Sequence, residues 1–234
     1  MVDFHTHILP GIDDGSKDVP MSLAMLAEEK AQGVNKIIAT PHFYAKQDSV
    51  DGFLNRRQKS YEKLMEQYNK EESPIPILLG AEVYYFGGIG EASMISKLCI
   101  ENTQILLLEM PFCQWTKAMY EDVKKLIQRQ HLRVVLAHLE RFQTFQKDME
   151  YWNRIMELGV LIQMNAGAFL DWKKRHRVLK LLKNVNEILI GSDCHNMDTR
   201  KPNLAEGCKV IASKAGENYL RNSEQLAGGI LNER

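Results

Sequence analysis

No segment of this 234-residue chain reaches the roughly 18 consecutive apolar residues that span a bilayer. Its start, Met1-Val2-Asp3-Phe4-His5, has no basic stretch leading into an apolar run. Membrane insertion and export are therefore not expected, and a cytoplasmic protein is. Charge of one sign is not in excess either, since Lys plus Arg number 30 and Asp plus Glu 30. Such a chain offers no basic field to hold a nucleic-acid backbone, which removes nucleic acid from the expected partners. The four cysteines, Cys99, Cys113, Cys194 and Cys208, include no C-x-x-C pair. A zinc knuckle or redox dithiol is thus excluded, and reduced packing thiols remain. Gly11 and Gly15 miss the G-x-G-x-x-G spacing of a dinucleotide loop. No linker or low-complexity stretch divides the chain, so residues 1–234 are expected to form one domain around one large core.

What the chain has in abundance is alternation. Short runs rich in Val, Ile and Leu are followed by longer amphipathic stretches, the βα pattern of a parallel sheet with helices outside. Strands are expected at Val2–His5, Asn35–Thr40, Ile75–Glu82, Gln104–Glu109, Arg133–His138, Val160–Asn165 and Glu187–Asp193. Helices are expected at Pro20–Gln32, Gly52–Lys70, Lys117–Arg129, Asp148–Leu158, His176–Lys183 and Pro202–Lys214, with Gly33, Gly159 and Gly216 as stops. Seven βα units of similar length predict a distorted (β/α)7 barrel. The segments 43–51 and 84–90 follow strands and are expected to wall its active face.

The polar residues sit at the ends of those strands. His5-Thr6-His7 places two imidazoles on one face of the first strand, a spacing that suits two ligands on one metal. Later strands end at Pro41-His42, Ala81-Glu82, Leu108-Glu109, Ala137-His138 and Ser192-Asp193-Cys194-His195. Glu82 and Glu109 each close an apolar run, where a carboxylate needs a cation or hydrogen-bond partners. Singly, His42 reads as readily as a core or capping histidine. Collectively, five of the seven histidines and three strand-end acids fall on one end of the barrel, the end where barrel enzymes keep their active sites. Asp13-Asp14-Gly15 in the first loop reads either as an Asx-type turn or as the source of one more ligand. Imidazole and carboxylate donors without thiolate favour manganese, zinc or iron.

Arg141 and Arg200 follow His138 and His195 on the same face, and a planar guanidinium is suited to clamp two phosphate oxygens. Cys194 precedes Arg200 at the spacing of a cysteine phosphatase loop. The residues between them lack the glycines such a loop needs, and strand alternation aims the thiol away from Asp193 and His195.

Together H-x-H, D-D-G, P-H, G-A-E, L-L-E, A-H-x-E-R and G-S-D-x-H resemble the PHP (polymerase and histidinol phosphatase) superfamily. Within it they are similar to the bacterial manganese-dependent protein-tyrosine phosphatases of capsule and exopolysaccharide operons, the CpsB/CapC family. The resemblance runs from His5 to at least Pro202. It implies three divalent metal ions, manganese with iron or zinc as alternatives. One is held by His5, His7, Glu82 and Asp193, a second by Glu82, Glu109 and His138, and a third by Asp14, His42 and His195. It also implies Arg141 and Arg200 as phosphate-binding residues, a metal-bound hydroxide as nucleophile, and a phosphotyrosine protein, a cognate bacterial tyrosine kinase, as substrate. An oligomer is compatible with it. Most other PHP proteins carry histidine where this chain has Asp14 and Glu109, which separates it from the histidinol-phosphate phosphatases. A non-catalytic kinase-binding regulator is the alternative outside enzymes. One departure is Lys201, which intervenes between Arg200 and Pro202 where the family runs Arg directly into Pro.

Overall fold

The structure, a computed structural model, describes residues 1–185 and 187–232. In chain order it comprises β1 (Val2–Thr6), α1 (Val19–Ala31), β2 (Lys36–Ala39), β3 (His42–Phe43), α2 (Val50–Tyr68), β4 (Ile77–Leu79) and β5 (Glu82–Tyr84). These are followed by β6 (Ile105–Glu109), α3 (Lys117–Gln128), β7 (Arg133–Leu136), α4 (Glu150–Met156), β8 (Leu161–Asn165) and α5 (Ala166–Leu170). The chain closes with α6 (Arg175–Lys183), β9 (Leu189–Gly191), α7 (Leu204–Ala215) and α8 (Glu217–Asn232). Helix starts follow local chemistry: Asp18, Ser49 and Thr116 each cap a helix by accepting a backbone N–H three residues on. Gly33 and Gly159 take left-handed backbone, as expected of stops. No described helix is long and apolar enough to cross a membrane.

All the strand pairs are parallel, in the orders β1-β2-β4 and β3-β5-β6-β7-β8-β9. The third expected strand is split into β4 and β5, and the second, expected to end at Thr40, is followed beyond Pro41 by β3. Pro41 has no N–H to give the ladder, which separates β2 from β3. The line of strands nevertheless continues, because Gly80 N–H donates to Ala39 O (2.8 Å) and Glu82 N–H to Pro41 O (3.0 Å). With β2/β3 and β4/β5 counted as one line each, seven strands curl round. The seam between β9 and β1 is closed by Asp193 N–H to His5 O (2.8 Å) and His7 N–H to Cys194 O (3.0 Å). The distorted (β/α)7 barrel is therefore the observed architecture.

Strand alternation separates two apolar clusters. Phe4, Ile38, Ile105, Leu107, Val135 and Leu189 face inward, where Ala227 and Ile230 of α8 plug them. Ile37, Leu106, Leu108, Val134, Ile162 and Ile190 face outward against the helices. Helix α8 was not expected from sequence. It carries the weak helix formers Gly228-Gly229, and packing of its apolar face under the barrel outweighs that local cost. The strands expected to reach His138 and Asp193 stop earlier, at Leu136 and Gly191, because both residues adopt left-handed backbone (φ 31° and 55°).

Candidate metal centre

The first strand owes its geometry to a bulge. Asp3 pairs with Ile37 but Thr6 with Ala39, so one extra residue lies between them. Without it Asp3 and His5 would share a face. With it, Asp3 turns to accept from Ser192 N–H (2.9 Å) and His5 N–H (3.2 Å), while His5 points into the top of the barrel. There the expected H-x-H pair meets, with His5 Nε2 3.1 Å from His7 Nε2.

Glu82 is the hub. Its Oε2 lies 3.2 Å from His5 Nε2, 3.3 Å from His7 Nε2 and 2.9 Å from His42 Nδ1. Its Oε1 accepts from His138 Nε2 at 2.7 Å. Asp193 Oδ1 lies 3.5 Å from His7 Nε2 and 3.8 Å from His5 Nε2. Asp14 Oδ1 lies 3.4 Å from His42 Nε2 and 3.5 Å from His195 Nε2, and Glu109 Oε1 is 3.5 Å from His138 Nε2. All nine residues singled out as ligands thus converge, from six strand ends and one loop.

Three sets bring their ligand atoms within 4.8 Å of one another: His5, His7 and Asp193; His42, Glu82 and Glu109; and His7, Asp14, His42 and His195. His7 and His42 are thus each shared between two sets, whereas the sequence expectation gave each to a single ion. His138 stands beside these sets, on Glu82 and Glu109. Glu82 Oε2, His42 Nδ1, His138 Nδ1 and His195 Nε2 are buried without a hydrogen-bond partner, even where His42 and Glu82 come close. Unpaired buried polar atoms are costly. Three of them, Glu82 Oε2, His42 Nδ1 and His195 Nε2, belong to a cluster of imidazole and carboxylate donors without thiolate, a donor set that fits divalent cations such as manganese, zinc or iron.

Charge is strongly displaced here. Burial opposes ionisation of Glu82, but the charge of His5 and hydrogen bonds from His138 and His42 override it and hold the carboxyl well below its ordinary value. Burial and the Glu82 charge push Glu109 up to about 7. Burial also opposes the imidazolium of His7, yet hydrogen bonds to Asp13 and Glu82 raise it to about 10. Burial, then the charge of His7, brings His195 down to about 3.

Three further residues hold the ligands in place: Gln163 and Asn165 were missed from sequence, and Asp13 was read only as part of an Asx-type turn or as a possible ligand. Asp13, rather than its neighbour Asp14, accepts from His7 Nδ1 (2.7 Å), Gly15 N–H (2.9 Å) and His42 N–H (3.0 Å). Gln163 Oε1 accepts from His138 N–H (2.6 Å) and faces His5 Nδ1 (3.1 Å). Gln163 Nε2 donates to Asn165 Oδ1 (2.9 Å), and Asn165 Nδ2 donates to Asp193 Oδ2 (2.7 Å). The available signal was Gln163-Met164-Asn165, two amides on one face of an otherwise apolar strand end.

Both arginines reach the centre. Arg141 donates to Asp193 Oδ2 (2.5 Å), and Arg200 Nη2 lies 2.7 Å from Asp193 Oδ1, so Lys201 does not displace it. Cys194 lies apart: its thiol is buried 3.7 Å from Glu29 Oε1, and burial pushes it well above its ordinary pKa. Two clefts flank the cluster. Arg141, Arg200, Phe112 and Phe145 line one; the other is lined by Tyr44, Tyr84 and Phe86, from the segments expected to wall the active face.

The model of a family described as capsular polysaccharide synthesis, CpsB/CapC, matches residues 1–225. The tyrosine-protein phosphatase CpsB of Streptococcus agalactiae serotype III is 26% identical over 245 residues, covering 97% of this chain and 98% of that protein. The tyrosine-protein phosphatase YwqE of Bacillus subtilis is 28% identical over 228 residues, covering 92% and 85%. A solved structure from work on YwqE of Bacillus subtilis and CpsB of Streptococcus pneumoniae, described as unique metal-dependent tyrosine phosphatases, superposes with a TM-score of 0.81 at 26% identity. It covers 96% of this chain and 93% of its own.

Proposed function

The chain belongs to the CpsB/CapC family of capsular polysaccharide synthesis, and from that premise we propose that it is a metal-dependent protein-tyrosine phosphatase. Its substrate is phosphotyrosine on a protein, a cognate bacterial tyrosine kinase of capsule or exopolysaccharide synthesis. It acts in the cytoplasm with three divalent cations, manganese in the first place. The observation that carries this reading is the convergence of nine imidazole and carboxylate donors on one barrel end, with Arg141 and Arg200 both on Asp193.

The residues divide the work. His5, His7 and Asp193, then Glu82, Glu109 and His138, then Asp14, His42 and His195 would hold the cations, with Glu82 within reach of the first two groups. Cations so held supply Lewis-acid stabilisation of the phosphoryl group and a nucleophile at neutral pH. Asp13 accepts the Nδ1 proton of His7 and so leaves its Nε2 lone pair free toward the cluster; Gln163 does the same for His5. Arg141 and Arg200 are partly exposed, 38% and 36%, and Asp193 fixes their guanidinium planes. From there they present donors to the phosphoryl oxygens and neutralise charge growing on them. Phe112 lies nearly parallel to His138 (9°, 6.5 Å) and offers the phenyl ring of the substrate a flat apolar face.

Hydrolysis of a phosphotyrosine peptide, measured after chelation and again after manganese is restored, tests the proposal. Loss with chelator and return with manganese is expected. Activity that survives complete metal removal, or preference for histidinol phosphate, refutes it.

A further inference from the structure

A groove of about 630 Å³ opens beside the metal centre. At one end Arg141 and Arg200 reach Asp193, and Phe112 and Phe145, both large and exposed, add aromatic faces. Farther along, Lys174 and Arg177 project from the start of α6. The acids of the groove are already engaged. Asp193 holds the two arginines, Asp171 pairs with Lys174 (3.2 Å), and Glu140 accepts the backbone N–H of Asn165 (3.4 Å). Arg177 is exposed with no partner among the described residues.

The start of α6 is also built against its own electrostatics. Lys174 occupies the capping position without a side-chain cap, and the first turn carries Arg175 and Arg177 but no acid. Anions, not cations, are favoured at a helix N-terminus. Asp171, just before the helix, offsets part of this charge by pairing with Lys174 and accepting Lys173 N–H (3.0 Å), and Arg177 is left unmatched for a ligand to meet. The groove thus joins aromatic faces, four cations against three acids, and the metal centre.

We propose that this groove binds carboxylate side chains of the substrate polypeptide next to its phosphotyrosine, which makes the enzyme selective for tyrosines in acidic sequence. The proposal rests on the phosphatase reading and extends it to the residues around the target. Lys174 and Arg177 are specificity-determining residues that do not touch the reacting atoms, so small aryl phosphates are indifferent to them.

The test compares kcat/KM for two phosphotyrosine peptides of equal length, one flanked by Asp and Glu and the other by Asn and Gln. Manganese-loaded wild type and the K174E/R177E variant are used, with p-nitrophenyl phosphate as the control. Wild type is expected to favour the acidic peptide by about ten-fold at low salt, less as salt is added. K174E/R177E is expected to abolish or invert that preference while hydrolysing p-nitrophenyl phosphate at the wild-type rate. Equal kcat/KM for the two peptides in wild type, or a preference that survives K174E/R177E, overturns the proposal alone. Turnover of none of the three by the manganese-loaded protein overturns the phosphatase reading and the proposal with it.

Discussion

Replacing Gln163 by leucine removes no metal ligand, yet it is expected to weaken the metal centre. The side chain is fully buried and spans two ligands: Oε1 accepts from His138 N–H and faces His5 Nδ1, and Nε2 leads through Asn165 to Asp193. Leucine fills nearly the same space and leaves His138 N–H, His5 Nδ1–H and Asn165 Oδ1 unpaired. Each such group costs about 1–3 kcal/mol. Because the three share one network their losses do not add in full, and a total of about 3–5 kcal/mol is expected. Loss of a carboxylate or amide behind a ligating histidine typically weakens metal binding by roughly 10–100-fold. Denaturant unfolding in chelator should therefore show the stability loss, and the manganese concentration giving half-maximal phosphatase activity should rise by that factor. The rate at saturating manganese should stay within a few-fold of wild type. Gln163→Glu keeps the acceptor for His138 and His5, so it should retain more of the metal affinity. If half-saturation is unchanged in Gln163→Leu while stability falls, Gln163 only packs, and the positioning argument is wrong.

The His7–Asp13 pair gives metal-free protein a pH signature. His7 is raised from 6.5 to about 10, so its contribution is full below about pH 6.5 and is lost as pH rises to about 10. Chelator-treated wild type should lose thermal stability across that interval, and Asp13→Asn should lose less; parallel profiles contradict the pairing. Arg141→Lys removes the fork that meets two oxygens and should lower kcat/KM on a phosphotyrosine peptide by about 100-fold at unchanged metal content by elemental analysis. Cys194→Ala should hydrolyse that peptide within a few-fold of wild type, because the thiol lies buried against Glu29; complete loss with normal metal content would demand a cysteine mechanism.

The eight strand-end donors were legible because a parallel barrel sends every strand to the same end, so position in the βα rhythm is position in space. His5 and His7 were legible as a pair for a local reason, the two-residue period of a strand. The bulge that turns Asp3 away from His5 was not, because it exists only in the pairing of β1 with β2, a relation between distant segments. Gln163 and Asn165 escaped for another reason: a neutral amide at the end of an apolar strand carries no charge that demands explanation, whereas Glu82 and Glu109 do. Asp13 and Asp14 are neighbours, and only the turn closed by Gly15 decides which one faces His7 and which faces His42 and His195. Helix α8 was hidden because its stability lies in the barrel floor it covers rather than in its own propensity.

Barrel closure and metal binding are coupled by the placement of the seam. Strands β1 and β9 are joined by few backbone hydrogen bonds, with Asp3 as a side-chain tie through Ser192 N–H and His5 N–H. The segments on the two sides of that seam carry His5 and His7 on one and Asp193 and His195 on the other, two of them drawn together with Asp193 in one candidate set. A cation held by His5, His7 and Asp193 would therefore tie the seam. By linkage, metal at 100 times its dissociation constant adds about 2.7 kcal/mol of stability, and the part of the fold that gains most is the one with fewest bonds of its own. Hydrogen exchange should show it: the Asp193 and His7 amides, which bridge the seam, should slow on addition of manganese by more than the Leu107 and Val135 amides inside the continuous sheet. Equal slowing across all four amides would mean that the metal stabilises the fold globally and that the seam is closed without it.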